Sequence, residues 1–576
     1  MNKSISFAAC AFAVAFAAPL IPAPAVAEQI RSAETVITPE ADDQQPRSVP
    51  KSSVAASQVR RIELAPLDSI AVKSALAVQD ADKGEGGAPV PQQIGFGRDV
   101  LVLKSASATG RQLTWQAQAD GGQAAAVSIA SPGAVAIRLG VRIFNLPEEA
   151  VLRLRASDDS EAFDTSGQEI LDLIEANVAS GDTSEDAYTW WAPAIEAEEA
   201  VLEIILPPGV SPKAVEIALP TISHLFASVS TEWKATGALA EKAATLSCHK
   251  DVQCYTADKD GGWDAASRAT TRMAYTQSGG TYLCTGTLLN DTDATTTIPY
   301  LLTANHCIST QTVASTLQTY WFYRTTSCGS KTVNAIVEKG GSNLLWASAS
   351  TDTSLLRLKG SPPSGVAYAG WQVGTPTVGV SVTGIHHPVG DPQKIAFGSV
   401  SSLTSAKTNP PTPAHSSGKP AFIEVKWSDG ETEPGSSGSG LFDSNKKLIG
   451  QLLGGRGDPV SCKGGINIYG RFDLAYNDKL HEYLDPTLSL SSPSWSAPTA
   501  AASSNVTVTT NQAQWTATSN QSWLTVSPAS GKNGAQATLK VTANTTTASR
   551  TGTVTFSAGG KTATVAVTQA GKVNTK

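Results

Sequence analysis

The sequence predicts a mostly β chain of several domains: a β-rich N-terminal region, a central domain long enough for two β-barrels, and a small C-terminal β-sandwich. Three observations predict it. The 576 residues amount to several domains of about 150 residues each. Six of the seven cysteines fall between positions 248 and 462. Short alternating apolar runs punctuated by Gly, Ser and Thr recur along the chain, and helical spacing shows in only two places. Hydrophobic residues make up 41%, and 43 basic against 50 acidic side chains give a formal charge of -7. A foldable, mildly acidic chain without a Lys/Arg block argues against nucleic acid as a partner.

Residues 1–27 read as a signal peptide: Lys3, an apolar run over 5–20, then Ala25-Val26-Ala27 as a small-x-small cleavage site. The run is too short for a membrane anchor, so a secreted, soluble protein is expected. Cys10 leaves with the signal. The remaining Cys248, Cys254, Cys284, Cys307, Cys328 and Cys462 read as three disulfides, with 15 pairings open.

Residues 28–242 carry no cysteine. Strands are expected over 100–103, 134–139, 151–154 and 201–206, and a helix over 170–178. A cysteine-free β-rich segment ahead of a disulfide domain reads as a pro-region, the alternative being an unrelated ligand-binding domain. Residues 243–487 alternate short strands with turns, with a helical signal at 478–484. Ser, Pro and Ala dominate 488–500, which reads as a linker. Residues 501–576 alternate cleanly at Val506/Val508, Leu539/Val541 and Val554/Phe556, the pattern of a small sandwich. They contain no Asp or Glu, so carboxylate-bound calcium is not expected there.

Three segments of the central domain carry chemistry. Thr303-Ala304-Asn305-His306-Cys307 ends an apolar run, Asp352 opens an alternating one, and Gly435-Ser436-Ser437-Gly438 is a glycine-flanked serine turn. Singly, each has a plain structural reading: a packed histidine, a cap, a turn. Together they supply what a serine nucleophile needs. An imidazole takes the hydroxyl proton, and a carboxylate fixes that imidazole's tautomer. Backbone donors must hold the oxyanion, and the N–H groups of Gly435 and Ser437 can supply them. The chain order His, Asp, Ser separates this set from other serine hydrolase classes. Cys284, 23 positions before Cys307, is placed to staple the histidine loop.

On these residues the central domain resembles a chymotrypsin-fold serine protease, and most closely the bacterial lysyl endopeptidases. Further matching stretches are Cys248-x5-Cys254, Ile385-His386-His387-Pro388, Thr432-Glu433-Pro434, Gly450-Gln451-Leu452, Tyr469-Gly470-Arg471 and Leu484-Asp485-Pro486. The resemblance implies a two-barrel endopeptidase acting on protein or peptide substrates, with His306, Asp352 and Ser437 catalytic. It implies the pairings Cys248–Cys462, Cys254–Cys328 and Cys284–Cys307. It also implies a precursor in which 28–242 is removed, and Lys242-Ala243 stands where such enzymes begin. No cofactor and no metal are expected, because His386-His387 lacks further ligands at zinc-like spacing.

The chain departs from that family at its pocket. Asn467 stands where the family has an aspartate, and Leu453 where it has a histidine. A neutral amide cannot neutralise a lysine ammonium, so Glu431 or Glu433 are the candidates to restore a negative charge. Basic, acidic and small-residue preferences stay open. Ser436 replaces the aspartate that pairs with a freed N-terminus in trypsin-like zymogens. The pro-region is therefore expected to act as inhibitor or folding aid. His249 and His415 are expected at the surface.

The C-terminal piece resembles a BACON domain at Trp515, Ser522-Trp523-Leu524-Thr525-Val526, Ser530-Gly531, Ala543-Asn544, Arg550-Thr551-Gly552 and Val567-Thr568-Gln569. This implies a binding role, with glycan or matrix as the partner class, although Trp515 and Trp523 read as core. The rival from another class is a secreted adhesion protein carrying an inactive protease-like module. The complete set of three catalytic residue types argues against it.

Overall fold

The computed structural model describes residues 31–40, 49–67, 91–229, 248–257, 261–293, 296–405, 413–456 and 465–572. The expected signal peptide, the Lys242-Ala243 junction and Cys462 lie outside the described residues.

The N-terminal domain is a β-sandwich. The apolar runs Gln123–Ala130 and Glu199–Leu206 pair antiparallel, and Val151–Ala156 adds to the second of them. Ala136–Asn145 and Glu216–Leu225 form a facing pair. Val127, Leu139, Leu152, Leu202 and Ile222 are fully buried in the shared core. Gly167–Ala179 is the expected helix, started by a reciprocal capping box between Ser166 and Glu169. The expected strand at 100–103 is instead a 3-10 turn, Leu101–Leu103. Val100 and Leu103 are buried while Leu101 is 71% exposed, so the apolar spacing is three and not two.

The central domain holds two barrels. In the first, Gly280–Leu289 pairs with Thr270–Gln277 and Tyr300–Ala304, and Tyr300–Ala304 pairs with Thr353–Leu358. In the second, Leu448–Arg456, Gly440–Asp443, Ser381–His386, Lys394–Thr404, Phe422–Asp429 and Ile466–Arg471 follow in order, and the last closes on the first. Closure satisfies every edge within the barrel. The disulfides Cys254–Cys328 and Cys284–Cys307 form as the resemblance implied, and Cys248 is disulfide-bonded. The helical signal at 478–484 is the end of a longer helical run that begins at Phe472–Ala475 and ends with His481–Leu484.

The N-terminal domain continues the sheet of the first barrel. Gln92–Asp99 pairs with Glu216–Leu225 on one side and with Gly280–Leu289 on the other. Arg138 of this domain, fully buried, donates to Thr276 Oγ1 at 3.0 Å across the junction.

The stretch expected as a linker is part of the C-terminal sandwich. Leu488–Leu490 pairs with Ala502–Thr510, and Ser494–Ala497 pairs with Lys561–Gln569. Its Ser/Pro/Ala composition hid it because an edge strand needs few large side chains. Leu488, Leu490 and Trp495 suffice to seat it on the core. Trp515 is fully buried there, while Trp523 is half-buried beneath Arg550, 4.3 Å from its ring centroid. Asn511 Nδ2 donates to the Asp485 carbonyl at 2.9 Å, and Lys561 pairs with Asp293 at 2.7 Å, docking this domain on the central one. Among the described residues no helix is long and apolar enough to cross a membrane.

Candidate active site

The pairing of Tyr300–Ala304 with Thr353–Leu358 brings His306 and Asp352 together, since Ala304 stands opposite Thr353. Asp352 sits in a left-handed turn at φ 50°, a conformation aspartate tolerates better than most residues. Its carboxylate grips His306 twice, accepting the backbone N–H at 2.9 Å and bonding Nδ1 at 2.8 Å. The acceptor-only carboxylate puts the proton on Nδ1 and leaves a lone pair on Nε2. Gln451, reaching from the second barrel, donates to the Thr351 and Asp352 carbonyls at 2.8 and 3.1 Å. Thus one barrel carries the acid and the other braces its backbone.

Ser437 lies in the turn before Gly440–Asp443, 6% exposed. The turn is pressed against the first barrel: Thr285 N–H donates to the Ser437 carbonyl at 2.8 Å, and Thr285 Oγ1 to the Gly435 carbonyl at 2.9 Å. Cys284, beside Thr285, is bonded to Cys307, beside His306. A Cβ on Gly438 would collide with Thr303 Oγ1 and the Thr285 carbonyl, so this close approach requires glycine. His306 Nε2 is buried and has no hydrogen-bond partner among the described residues, so its bond to the serine hydroxyl is not closed. Such bonds are often long before substrate binds.

Ser436 is fully buried and organises the turn from behind. Its Oγ accepts the Glu433 N–H at 3.2 Å, its own N–H donates to the Glu433 carbonyl at 3.0 Å, and its Oγ bonds His386 Nδ1 at 2.8 Å. The bond to Nδ1 ties His386 to the back of the serine turn. Burial holds His386 well below the ordinary imidazole range, helped by His249, His387 and Lys394 nearby. Gly435, at φ +96°, is enclosed by the His387 carbonyl, Val389 and Gln92 of the N-terminal domain.

The pocket candidates separate. Asn467 Oδ1 accepts from Thr432 Oγ1 at 2.6 Å and from Trp427 Nε1, so this amide is engaged by the wall. Glu431 is 4% exposed beside it, accepting the Gly465 N–H at 2.7 Å. Burial pushes its carboxyl above the usual range. Glu433 faces another neighbour: its Oε1 lies 3.9 Å from His249 Nε2. Leu453 packs in a small core with Phe422 and Ile468.

Two surface expectations are corrected. His249 is 8% exposed, between Asp391 and Glu433, and burial with Lys394 pushes it down to about 4. His415 is 6% exposed and bonds Asp478 at 2.9 Å. Both are buried by segments distant in sequence. The contributions of Gln92 and of Ser436 through His386 had no local signal, because each depends on a contact between segments dozens to hundreds of residues apart.

Comparison with known proteins agrees with this architecture. A family model described as the lysyl endopeptidase N-terminal domain matches residues 63–226, and one described as the lysyl endopeptidase C-terminal domain matches 243–469. A BACON model, described as a putative binding domain, matches 513–570. A lysyl endopeptidase of Pseudomonas aeruginosa is 34% identical over 380 residues, covering 63% of this chain and 75% of the relative. A secreted RxLR effector protein of Plasmopara viticola is 24% identical over 310 residues, 50% of this chain and 70% of that protein. Among solved structures, the Vibrio cholerae VesB protease aligns over 53% of this chain and 96% of its own, at 14% identity and TM-score 0.26.

Proposed function

The chain belongs to the lysyl endopeptidase family and is a serine endopeptidase, and on that premise we propose that Ser437, His306 and Asp352 carry its chemistry. Ser437 Oγ attacks the scissile carbonyl as His306 Nε2 takes its proton. The imidazolium then gives that proton to the leaving amine, and water repeats the cycle on the acyl-enzyme. Asp352 holds the imidazole tautomer and its positive form. The N–H groups of Gly435 and Ser437 receive the oxyanion; among the described residues neither donates a hydrogen bond elsewhere.

The two-point grip of Asp352 on His306 is the observation that carries this reading, because it presets Nε2 as a base. Fluorophosphonate labelling of the processed enzyme tests it. Wild type incorporates one label per chain and Ser437→Ala incorporates none. Labelling of the alanine variant at another residue overturns the assignment.

Basic residues are the proposed preference at the cleavage site. Glu431 is a buried carboxylate with no cation beside it among the described residues, met only by the N–H groups of Gly465 and Thr432. A lysine or arginine side chain of the substrate would supply the missing charge. Residues 1–27 are proposed as an export signal and 28–242 as a pro-region that covers the site until it is removed. Residues 243–487 are the proposed protease. The C-terminal sandwich is proposed to bind glycan or matrix near the substrate. Gln92, 4% exposed against Gly435, supports the inhibitory role of the pro-region.

A further inference from the structure

Residues 31–40 precede the N-terminal sandwich in sequence, yet they lie on the protease domain. Ser32–Ala33 pairs with Trp371–Gln372, and Val36–Ile37 with Ala367–Tyr368. Ala33 is 4% exposed and shares a core with Trp371, Leu289 and Leu448. The backbone is read at almost every position. Val373 N–H donates to the Arg31 carbonyl at 2.8 Å, Lys447 Nζ to the Ala33 carbonyl at 2.8 Å, and Asn290 Nδ2 to the Glu34 carbonyl at 2.9 Å. Gly370 N–H donates to Thr35 Oγ1 at 2.9 Å, and Thr38 N–H to the Val366 carbonyl at 2.9 Å. Arg31 pairs with Asp485, Glu34 with Lys447 and Glu40 with Arg268. A Cβ on Gly370 would stand 2.5 Å from the Ala33 carbonyl oxygen, so the groove floor is shaped to the depth of a peptide backbone.

We propose that the groove along residues 365–373 is a peptide-binding exosite that takes an extended segment by strand addition, and that residues 31–40 are its ligand. The N-terminal region is then a two-point ligand of the protease. Its strap occupies the second barrel and its strand Gln92–Asp99 the first. Residues 41–48 join the strap to 49–67, whose strand Arg60–Glu63 pairs with Gln123–Ala130 in the sandwich that carries Gln92–Asp99, so seating one contact holds the other at high local concentration. Linked contacts of this kind exceed the stronger single contact by roughly 10²–10⁴-fold in affinity. This inference rests on the reading of 28–242 as a region released from the protease, and its test is separable from that reading.

The full chain is allowed to process itself, and dissociation of the N-terminal fragment is followed by size exclusion and by recovery of ester hydrolysis. Wild type is compared with Ala33→Arg, in the strap, and Gly370→Val, in the groove. Each variant is expected to weaken retention of the fragment roughly 10²–10⁴-fold, with the double variant no weaker than either single one. Retention within threefold of wild type in both variants overturns the proposal. Equal ester hydrolysis by the fully processed enzymes shows that the protease has folded, and Ala33→Arg leaves the processed protease unaltered in any case. A labelled synthetic peptide of residues 31–40, titrated into processed enzyme, is expected to bind wild type and not Gly370→Val. Absence of binding to wild type overturns the exosite, whereas peptide binding without inhibition by the fragment removes only the inhibitory reading of 28–242.

Discussion

Gln92 of the N-terminal domain packs against Gly435 of the serine turn: a Cβ placed on that glycine would stand 3.5 Å from Gln92 Cβ. The two residues are brought together by antiparallel pairing of Gln92–Asp99 with Gly280–Leu289, in which Gln92 stands opposite Leu283. A strand of the N-terminal domain therefore ends at the edge of the proposed oxyanion site.

Trimming this contact should open the precursor. In uncleaved chain, Gln92→Gly is expected to react with a small fluorophosphonate about tenfold faster than wild type, the equivalent of ~1.4 kcal/mol of lost packing. Equal labelling rates would show that the side chain does not occlude the site.

Asp352 fixes the imidazole tautomer through two bonds, so Asp352→Asn should lower kcat by about 10⁴ while leaving KM within a few-fold. Steady-state kinetics on a peptide ester reads both constants. A fall of tenfold or less would mean that the carboxylate is only structural.

Ser436 pins the Glu433 N–H and thereby the turn bearing Gly435, and its Oγ is hydrogen-bonded to His386 Nδ1. Ser436→Ala and His386→Phe are each expected to lower kcat about 10–10²-fold, part of the loss seen when an oxyanion donor is misplaced. His386→Asn, which keeps a hydrogen-bonding group, should recover much of the activity. Equal loss in the Asn and Phe variants would sink the hydrogen-bond account and leave packing alone.

Glu431→Gln removes the buried carboxylate proposed to face a basic side chain. kcat/KM on lysine and arginine substrates is expected to fall by about 10²–10³, with little change on a neutral ester. Cleavage-site mapping of a denatured protein mixture by mass spectrometry provides the same comparison across all residues. An unchanged preference in the variant would assign the charge recognition elsewhere.

His249 is held at about 4 by burial and by Lys394, against 6.5 in the unfolded chain. The folded state favours the neutral ring, so the unfolded chain binds more protons between those values. The stability this contributes is present above about pH 6.5 and is lost as pH falls toward 4, with a slope of up to about 1.4 kcal/mol per unit. Thermal unfolding of the full chain from pH 7 to 4 should decline less steeply in His249→Gln. Parallel curves for the two proteins would show that His249 does not titrate in this range.

Much of the architecture could be read from pattern. Alternation marked the strands containing Val151 and Val201, helical spacing over 170–178 marked the helix Gly167–Ala179, and the motifs around His306, Asp352 and Ser437 marked the proposed site. The misses share a cause. Residues 100–103 are apolar in composition but turn-like in spacing, and 488–500 lack the bulky side chains by which strands are recognised. His249 and His415 are polar residues buried by partners far away in the chain.

Residue types and their order alone determined the class of chemistry, since only a nucleophile, a base and an acid flanked by the right glycines make that set. The packing of strands distant in sequence decided what surrounds it: Asp352 against His306, Ser436 against His386, Gln92 against Gly435 and the strap against Gly370. Local sequence encodes the dihedral and side-chain preferences of each segment, whereas these contacts depend on register and closure across hundreds of residues, which exist only once the barrels have formed.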